Sequence, residues 1–117
     1  MDVLERKRIL ATNVLREVLL YDVQRVYSVF KGSMITVTNT YLLDGGKLMK
    51  VYLSFYSYDG SDLDDCKALS FLNKIKGKIR YKLGLMLSNK LKFIPSIDFY
   101  IDDSRDVYNG MVLDVNC

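Results

Sequence analysis

Histidine and tryptophan are absent from the 117 residues of this chain, and proline and cysteine are rare. Without histidine the chain cannot build a Ser-His-Asp or Cys-His nucleophile system, or a metal site with histidine ligands. One proline and seven glycines are too few for a low-complexity or disordered chain. The two cysteines, Cys66 and Cys117, lack metal-ligand spacing and predict reduced thiols. These absences argue against an enzyme, and we expect no metal and no cofactor.

Long apolar runs are also missing. The run from Leu83 to Leu87 is far shorter than the ~20 residues that span a membrane. The first residues are rich in charge and lack the apolar core of a signal peptide, so we expect a cytoplasmic protein. The length predicts one domain over residues 1–117. We expect its ordered core at 3–104 and a tail at 105–117 that is disordered or a short helix.

Positive charge is unevenly distributed. The net charge of the chain is only +3, yet residues 67–97 contain eight lysines and arginines and no aspartate or glutamate. The other 86 residues therefore sum to −5. A basic element on a mildly acidic body is typical of a surface that binds phosphate groups. A solvated lysine-rich helix is the alternative, but such helices usually carry both signs of charge.

The first half of the chain predicts a helix followed by a β-hairpin. Apolar residues recur at three- and four-residue steps from residue 3 to about 22, as in an amphipathic helix. Two strand-like runs, Met34–Leu43 and Lys47–Tyr58, flank the turn sequence Asp44-Gly45-Gly46 and predict a hairpin. The apolar alternation changes face within the first run, so we expect a β-bulge near Thr38-Asn39.

The second half predicts two helices and a strand. Ser61 and Asp64 have the spacing of a capping box, so we expect a helix to begin there. Its apolar stripe continues to residue 87 and is interrupted by Gly77. An interior glycine costs about 1 kcal/mol relative to alanine, which favours a kink at Ile75-Lys76-Gly77. Leu91–Ile101 then predicts a third strand.

This order of elements predicts an α+β fold of the form α-β-β-α-(kink)-α-β, with the helices on one face of a three-stranded mixed sheet. It is the order of a type II KH domain. Three segments indicate one particular family with this order of elements: Lys50–Phe55, Asn73–Leu83 with its glycine, and Phe93–Ser104 with Pro95. They resemble bacterial ribosome-binding factor A, from about residue 34 to residue 104.

The family resemblance extends to the kink. An ordinary KH domain clamps nucleic acid with a Gly-x-x-Gly loop, which this chain lacks. The resembled family has an Ala-x-Gly kink in its place. Gly77 matches the family glycine, and Ile75 stands where the family has alanine.

The resemblance implies a non-enzymatic assembly factor of the small (30S) ribosomal subunit. Such a factor binds 16S rRNA near ribosomal proteins, assists processing of the 5′ end of the precursor, particularly in the cold, and leaves before translation. A functional link to a ribosome-associated GTPase and to initiation factors is also implied. We expect a monomer.

Basic residues of the helical pair are the predicted contacts to rRNA phosphates. Lysine and arginine bind phosphate as positioning contacts and do not read bases. The predicted RNA-binding residues are Lys74, Lys76, Lys78, Arg80 and Lys82, with Lys90 and Lys92 extending the patch at the entrance of the third strand.

Two other functions remain open at this point. Tyr52, Tyr56 and Tyr58 of the hairpin, with Tyr100 of the third strand, could form the contact surface of a protein-interaction adaptor, because tyrosine suits interfaces. The second alternative is a KH-like binder of free single-stranded RNA that has no role in ribosome assembly.

Overall fold

The computed structural model describes residues 2–60 and 63–102. The helices are α1 (Val3–Val18), α2 (Asp65–Lys74) and α3 (Lys76–Leu87), and the strands are β1 (Ser33–Leu43), β2 (Leu48–Ser57) and β3 (Ser96–Ile101). The described residues therefore form an α+β fold with the predicted order of elements. The tail at 105–117, predicted as disordered or a short helix, lies outside the described residues.

Helix α1 begins at an aspartate cap and continues as a wider helix. The Asp2 side chain accepts a hydrogen bond from the Glu5 backbone N–H, which satisfies one of the free donors of the first turn. Beyond Val18 the chain adopts π-helical turns over Leu19–Gln24, two residues past the predicted end. Leu19 and Val23 are both buried there, so the apolar stripe holds the extended helix against the core.

A polar cluster joins α1 to β1. Nη1 of Arg8 donates to Oγ1 of Thr40 over 2.9 Å, and the same oxygen lies 2.8 Å from Oγ1 of Thr12. Arg8 also forms a salt bridge with Glu5, one turn earlier on α1. The hydrogen bond from Arg8 lowers the pKa of the Glu5 carboxyl, and the same bond raises the pKa of Arg8. The cluster fixes where α1 crosses the sheet edge.

The predicted hairpin and its bulge are confirmed. Strands β1 and β2 pair antiparallel, and the register shifts between Val37 and Asn39. The connecting turn is the short 3-10 segment Asp44–Gly46, in which all three residues have positive φ. Glycine adopts such angles without steric cost, which explains the two glycines of the turn.

The sheet has the order β1-β2-β3 and is mixed, because β3 pairs parallel with β2. One face supplies the core. Its buried apolar residues are Val37, Met49, Val51, Leu53, Ile97 and Phe99, which cluster with the buried residues of all three helices. The return from β2 to β3 through α2 and α3 places the helical pair against this same face, as predicted.

Three local predictions need correction. Helix α2 begins after Asp64, whose side chain accepts a 2.8 Å hydrogen bond from Lys67 N, and not at residue 61. Residue 61 itself lies outside the described residues. Strand β3 begins at Ser96 and not at Leu91, because Pro95 precedes it and cannot donate to a ladder. Cys66 is disulfide-bonded, so the expected reduced thiol is wrong there, and Cys117 lies outside the described residues.

Candidate nucleic-acid interface

The junction of α2 and α3 shapes the candidate interface. Ile75 has φ −101° and ψ 10°, so the helix is interrupted at this residue, while Gly77 lies within α3. The Ile75 N–H donates to Phe71 O and its carbonyl accepts from Ile79 N. The break therefore leaves neither backbone group of Ile75 unsatisfied. The Ile75 side chain is 8% exposed and anchors the junction in the core.

The buried stripe of the helical pair determines which cations reach solvent. Leu72, Ile79, Leu83 and Leu87 are buried against the sheet. Residues at other positions around each helix must point sideways or outward. The exposed and half-buried cations of the pair lie on the flanks of this stripe.

Three lysines of the pair are exposed and lack a carboxylate partner within the described parts of the chain. They are Lys74, Lys78 and Lys82, which follow one another at four-residue spacing. Lys74 ends α2, and the other two lie on one side of α3. These three can meet phosphate without breaking an existing contact.

Two other cations of the pair already have contacts within the protein. Nζ of Lys76 lies 3.8 Å from Oδ1 of Asp98 on β3. Nη2 of Arg80 donates a 3.1 Å hydrogen bond to the carbonyl of Ile94, just before β3. Both contacts tie α3 to the third strand. These two side chains are therefore partly committed to the fold.

An open groove of about 470 Å³ lies beside these cations, a feature that the sequence analysis missed. Gly77 and Gly84 line it together with Arg80, Tyr81, Leu85 and Ile94. Tyr81 is 67% exposed and Leu85 is 61% exposed, although both belong to α3. Two large exposed apolar residues beside the buried stripe were the available signal in the sequence.

Lys90 and Lys92 lie between the end of α3 and the start of β3. Lys90 lines an open hollow of about 230 Å³ with Arg6 and Lys7 of α1. Nζ of Lys92 lies 5.5 Å from the centre of the Phe93 ring, and Nζ of Lys47 lies 5.4 Å from it. These lysines therefore join cations of α1 and of the hairpin, which the sequence analysis did not identify.

Tyrosines occupy the sheet face that the helices leave open. The rings of Tyr52 and Tyr100 stack at 5.3 Å, and the Tyr41 ring meets Tyr52 edge-on at 5.8 Å. Tyr56 and Tyr58 are 61% and 64% exposed. The Tyr52 ring is thus covered by its neighbours, whereas the exposed rings of Tyr56 and Tyr58 lie at and just after the C-terminal end of β2.

Residues 2–60 and 63–102 contain no cluster of metal-ligating side chains. Within the same residues, none of the helices has the length and apolar content to cross a membrane. The groove and the hollow are lined by cations and apolar groups, which suit an anionic partner.

Sequence and fold comparisons identify the family. The profile of ribosome-binding factor A matches residues 5–112, most of the chain. The chain belongs to the ribosome-binding factor A family. No curated protein matches it significantly by sequence.

Two structures of ribosome-binding factor A share the fold. The crystal structure of the factor from Thermus thermophilus has a TM-score of 0.64 and 15% identity, and the match covers 86% of this chain and 97% of that one. A homology model of the Thermus thermophilus factor, fitted into a cryo-EM map of a 30S complex, has a TM-score of 0.56 and 17% identity. That match covers 79% of this chain and 90% of the other.

Proposed function

We propose that this protein binds the small (30S) ribosomal subunit as a non-enzymatic assembly factor, through phosphates of 16S rRNA that meet the α2–α3 pair. Family membership supports a ribosome-binding role. A homology model of a relative with the same fold has been fitted into a map of a 30S complex. The observation that carries the proposal is that Lys74, Lys78 and Lys82 are exposed and without a carboxylate partner among the described residues.

The proposed interface contains three lysines without a carboxylate partner among the described residues and two cations that already contact other parts of the protein. The three free lysines contact phosphate directly. Lys76 and Arg80 join when RNA displaces or shares their contacts with Asp98 and Ile94. Three to five neutralised phosphates predict a slope of log affinity against log salt of roughly −2 to −4.5.

The lysines of this interface position the RNA backbone and do not read the bases. Lysine contacts to phosphate carry no sequence information, so rRNA shape and neighbouring ribosomal proteins select the target. The exposed Tyr81 ring adds an aromatic surface beside the cations. Such rings stack on unpaired bases without sequence preference.

The finer role follows the family. We propose that the protein assists processing of the 5′ end of the 16S precursor, most visibly in the cold, and leaves before translation. A ribosome-associated GTPase and initiation factors act in its release. It works as a cytoplasmic monomer and needs no metal or cofactor.

The test replaces the three free lysines by glutamine. The Lys74→Gln, Lys78→Gln, Lys82→Gln triple variant is compared with Arg16→Gln, Arg25→Gln, Lys31→Gln, which removes the same charge from residues outside the α2–α3 pair. We expect the first variant to lose co-sedimentation with 30S subunits while keeping its melting temperature, and the control to bind as the unmodified protein. Equal binding by both variants would overturn this interface.

A second experiment tests the cellular role. Depletion of the protein from cells that produce it should lead to small-subunit rRNA with unprocessed 5′ ends, more strongly at low temperature. Normal 5′ ends at every temperature would contradict the processing role and leave the binding role standing.

The adaptor alternative rests on the exposed rings of Tyr56 and Tyr58. Salt separates it from RNA binding, because an aromatic interface should weaken little between 50 and 300 mM salt, whereas phosphate contacts weaken steeply. A short single-stranded oligonucleotide tests the other alternative. A ribosome factor should bind it much more weakly than it binds small subunits.

A further inference from the structure

A second group of cations meets at the end of the molecule where α1 begins and the hairpin turns. We name this group the basic end. Its members come from three separate elements of the chain: Arg6, Lys7, Lys47, Lys90 and Lys92.

Cavity lining and ring contacts show that the members are neighbours. Arg6, Lys7 and Lys90 line one hollow. Lys7 also lines a small adjoining pocket with Lys92 and Phe93. The ammonium groups of Lys47 and Lys92 both lie within 5.5 Å of the centre of the Phe93 ring.

The fold holds these elements together. Ser96 N donates a 2.8 Å hydrogen bond to Lys47 O, which joins the start of β3 to the hairpin end. Leu91 is buried between the hollow and the small pocket. Phe93 is 44% exposed, so its ring both approaches the lysines and faces solvent. The basic end is therefore a fixed feature of the surface.

Little negative charge opposes these cations. None of the five forms a salt bridge with a carboxylate in the described parts of the chain. The carboxylates on the same elements are Asp2, Glu5, Glu17 and Asp44; Glu17 is near the opposite end of α1, and Glu5 is already paired with Arg8. Asp2 caps its own helix. A cluster of like charges repels itself and attracts a polyanion.

We propose that the basic end is a second phosphate-contacting surface, which holds a different stretch of RNA backbone from the one that meets the α2–α3 pair. This inference rests on the proposed function. Four of the five cations are lysines, which are depleted at protein–protein interfaces and common at phosphate contacts. The chemistry therefore favours RNA over an acidic protein as the occupant.

Two surfaces on one rigid body have a measurable consequence. Each phosphate contact adds about 0.7 to 0.9 to the salt slope. Loss of three contacts at the basic end should reduce the slope by about 2 to 3 and raise Kd roughly tenfold or more near 100 mM salt.

The experiment compares two triple variants of the full chain. Arg6→Gln, Lys7→Gln, Lys47→Gln removes three members of the basic end, and Arg16→Gln, Arg25→Gln, Lys31→Gln removes equal charge outside both proposed surfaces. Affinity for purified 30S subunits and for protein-free 16S rRNA is measured from 50 to 300 mM salt. We expect weaker binding and a shallower slope for the first variant on both probes.

Each other result has a defined meaning. If both variants bind alike, the basic end makes no contact and the inference fails, while the proposed function stands. If the defect appears on subunits and not on free rRNA, the occupant is an acidic protein and the inference fails. If the unmodified protein binds neither probe, the proposed function fails as well.

The same inference can be tested on the unmodified protein, so the test does not depend on the folding of a variant. Lysine acetylation is read by mass spectrometry with and without 16S rRNA. We expect protection of Lys7, Lys47 and Lys92 by the RNA, and none of Lys31. Equal modification of all four lysines with and without RNA would overturn the inference.

Discussion

The ammonium group of Lys76 lies 3.8 Å from the carboxylate of Asp98, so α3 is linked to β3 by an ion pair at the edge of the proposed RNA interface. Both side chains are partly exposed, and such pairs contribute at most about 1 kcal/mol to stability. The pair therefore affects the charge offered to RNA more than it affects the fold.

The first prediction removes this carboxylate. Asp98→Asn should free Lys76 and tighten binding to 30S subunits about two- to fivefold at low salt, since a rim carboxylate repels phosphate. The advantage should shrink above 300 mM salt because exposed charges are screened. Asp59→Asn, on the loop after β2, is the matched control and should bind as the unmodified protein.

The second prediction concerns the hydrogen bond between Arg80 and the Ile94 carbonyl. Arg80→Gln should lower the free energy of unfolding by about 0.5 kcal/mol. The loss is small because the bond is exposed, so water can replace the Arg80 guanidinium as donor to the Ile94 carbonyl. Lys82→Gln makes the same charge change and should leave stability unchanged. Urea titrations of both variants measure the difference, and equal midpoints would show that the bond does not hold α3 to β3.

The third prediction compares two glycines. A Cβ atom at Gly84 would lie 3.8 Å from Cγ1 of Ile94, an ordinary contact, so Gly84→Ala should stabilise α3 by about 0.5 to 1 kcal/mol. Gly32 has φ +76°, and a Cβ there would overlap the Asp59 carboxyl. Gly32→Ala should therefore destabilise the protein by about 1 kcal/mol or more. Thermal unfolding distinguishes the two, and shifts of the same sign would contradict the prediction.

The fourth prediction concerns pH. The folded-state pKa of Glu5 is lowered by its hydrogen bond with Arg8, so the stability from this pair is present above the unfolded pKa and is lost as pH falls through the folded pKa. Glu5→Gln should melt below the unmodified protein at pH 7. The gap should close as the pH falls below the ordinary range of glutamate. A gap that persists at pH 2 would mean that packing, and not charge, is responsible.

Much of the fold could be predicted from the sequence because its signals are local. The hairpin follows from two alternating runs around Asp44–Gly46, and the loss of alternation near Thr38 located the bulge. The start of α2 could not be fixed in the same way. Two capping residues, at 61 and 64, compete there, and the described geometry shows Asp64 as the cap.

The sequence by itself determined the order of elements, the faces that enter the core and the acid-free basic stretch, since these depend on neighbours along the chain. Only the tertiary structure decided which cations are free. Lys76 of α3 pairs with Asp98 of β3, and Lys90 lines a hollow with Arg6 and Lys7 of α1. Charges interact through space, so their partners are set by how the elements pack and not by their spacing in the sequence.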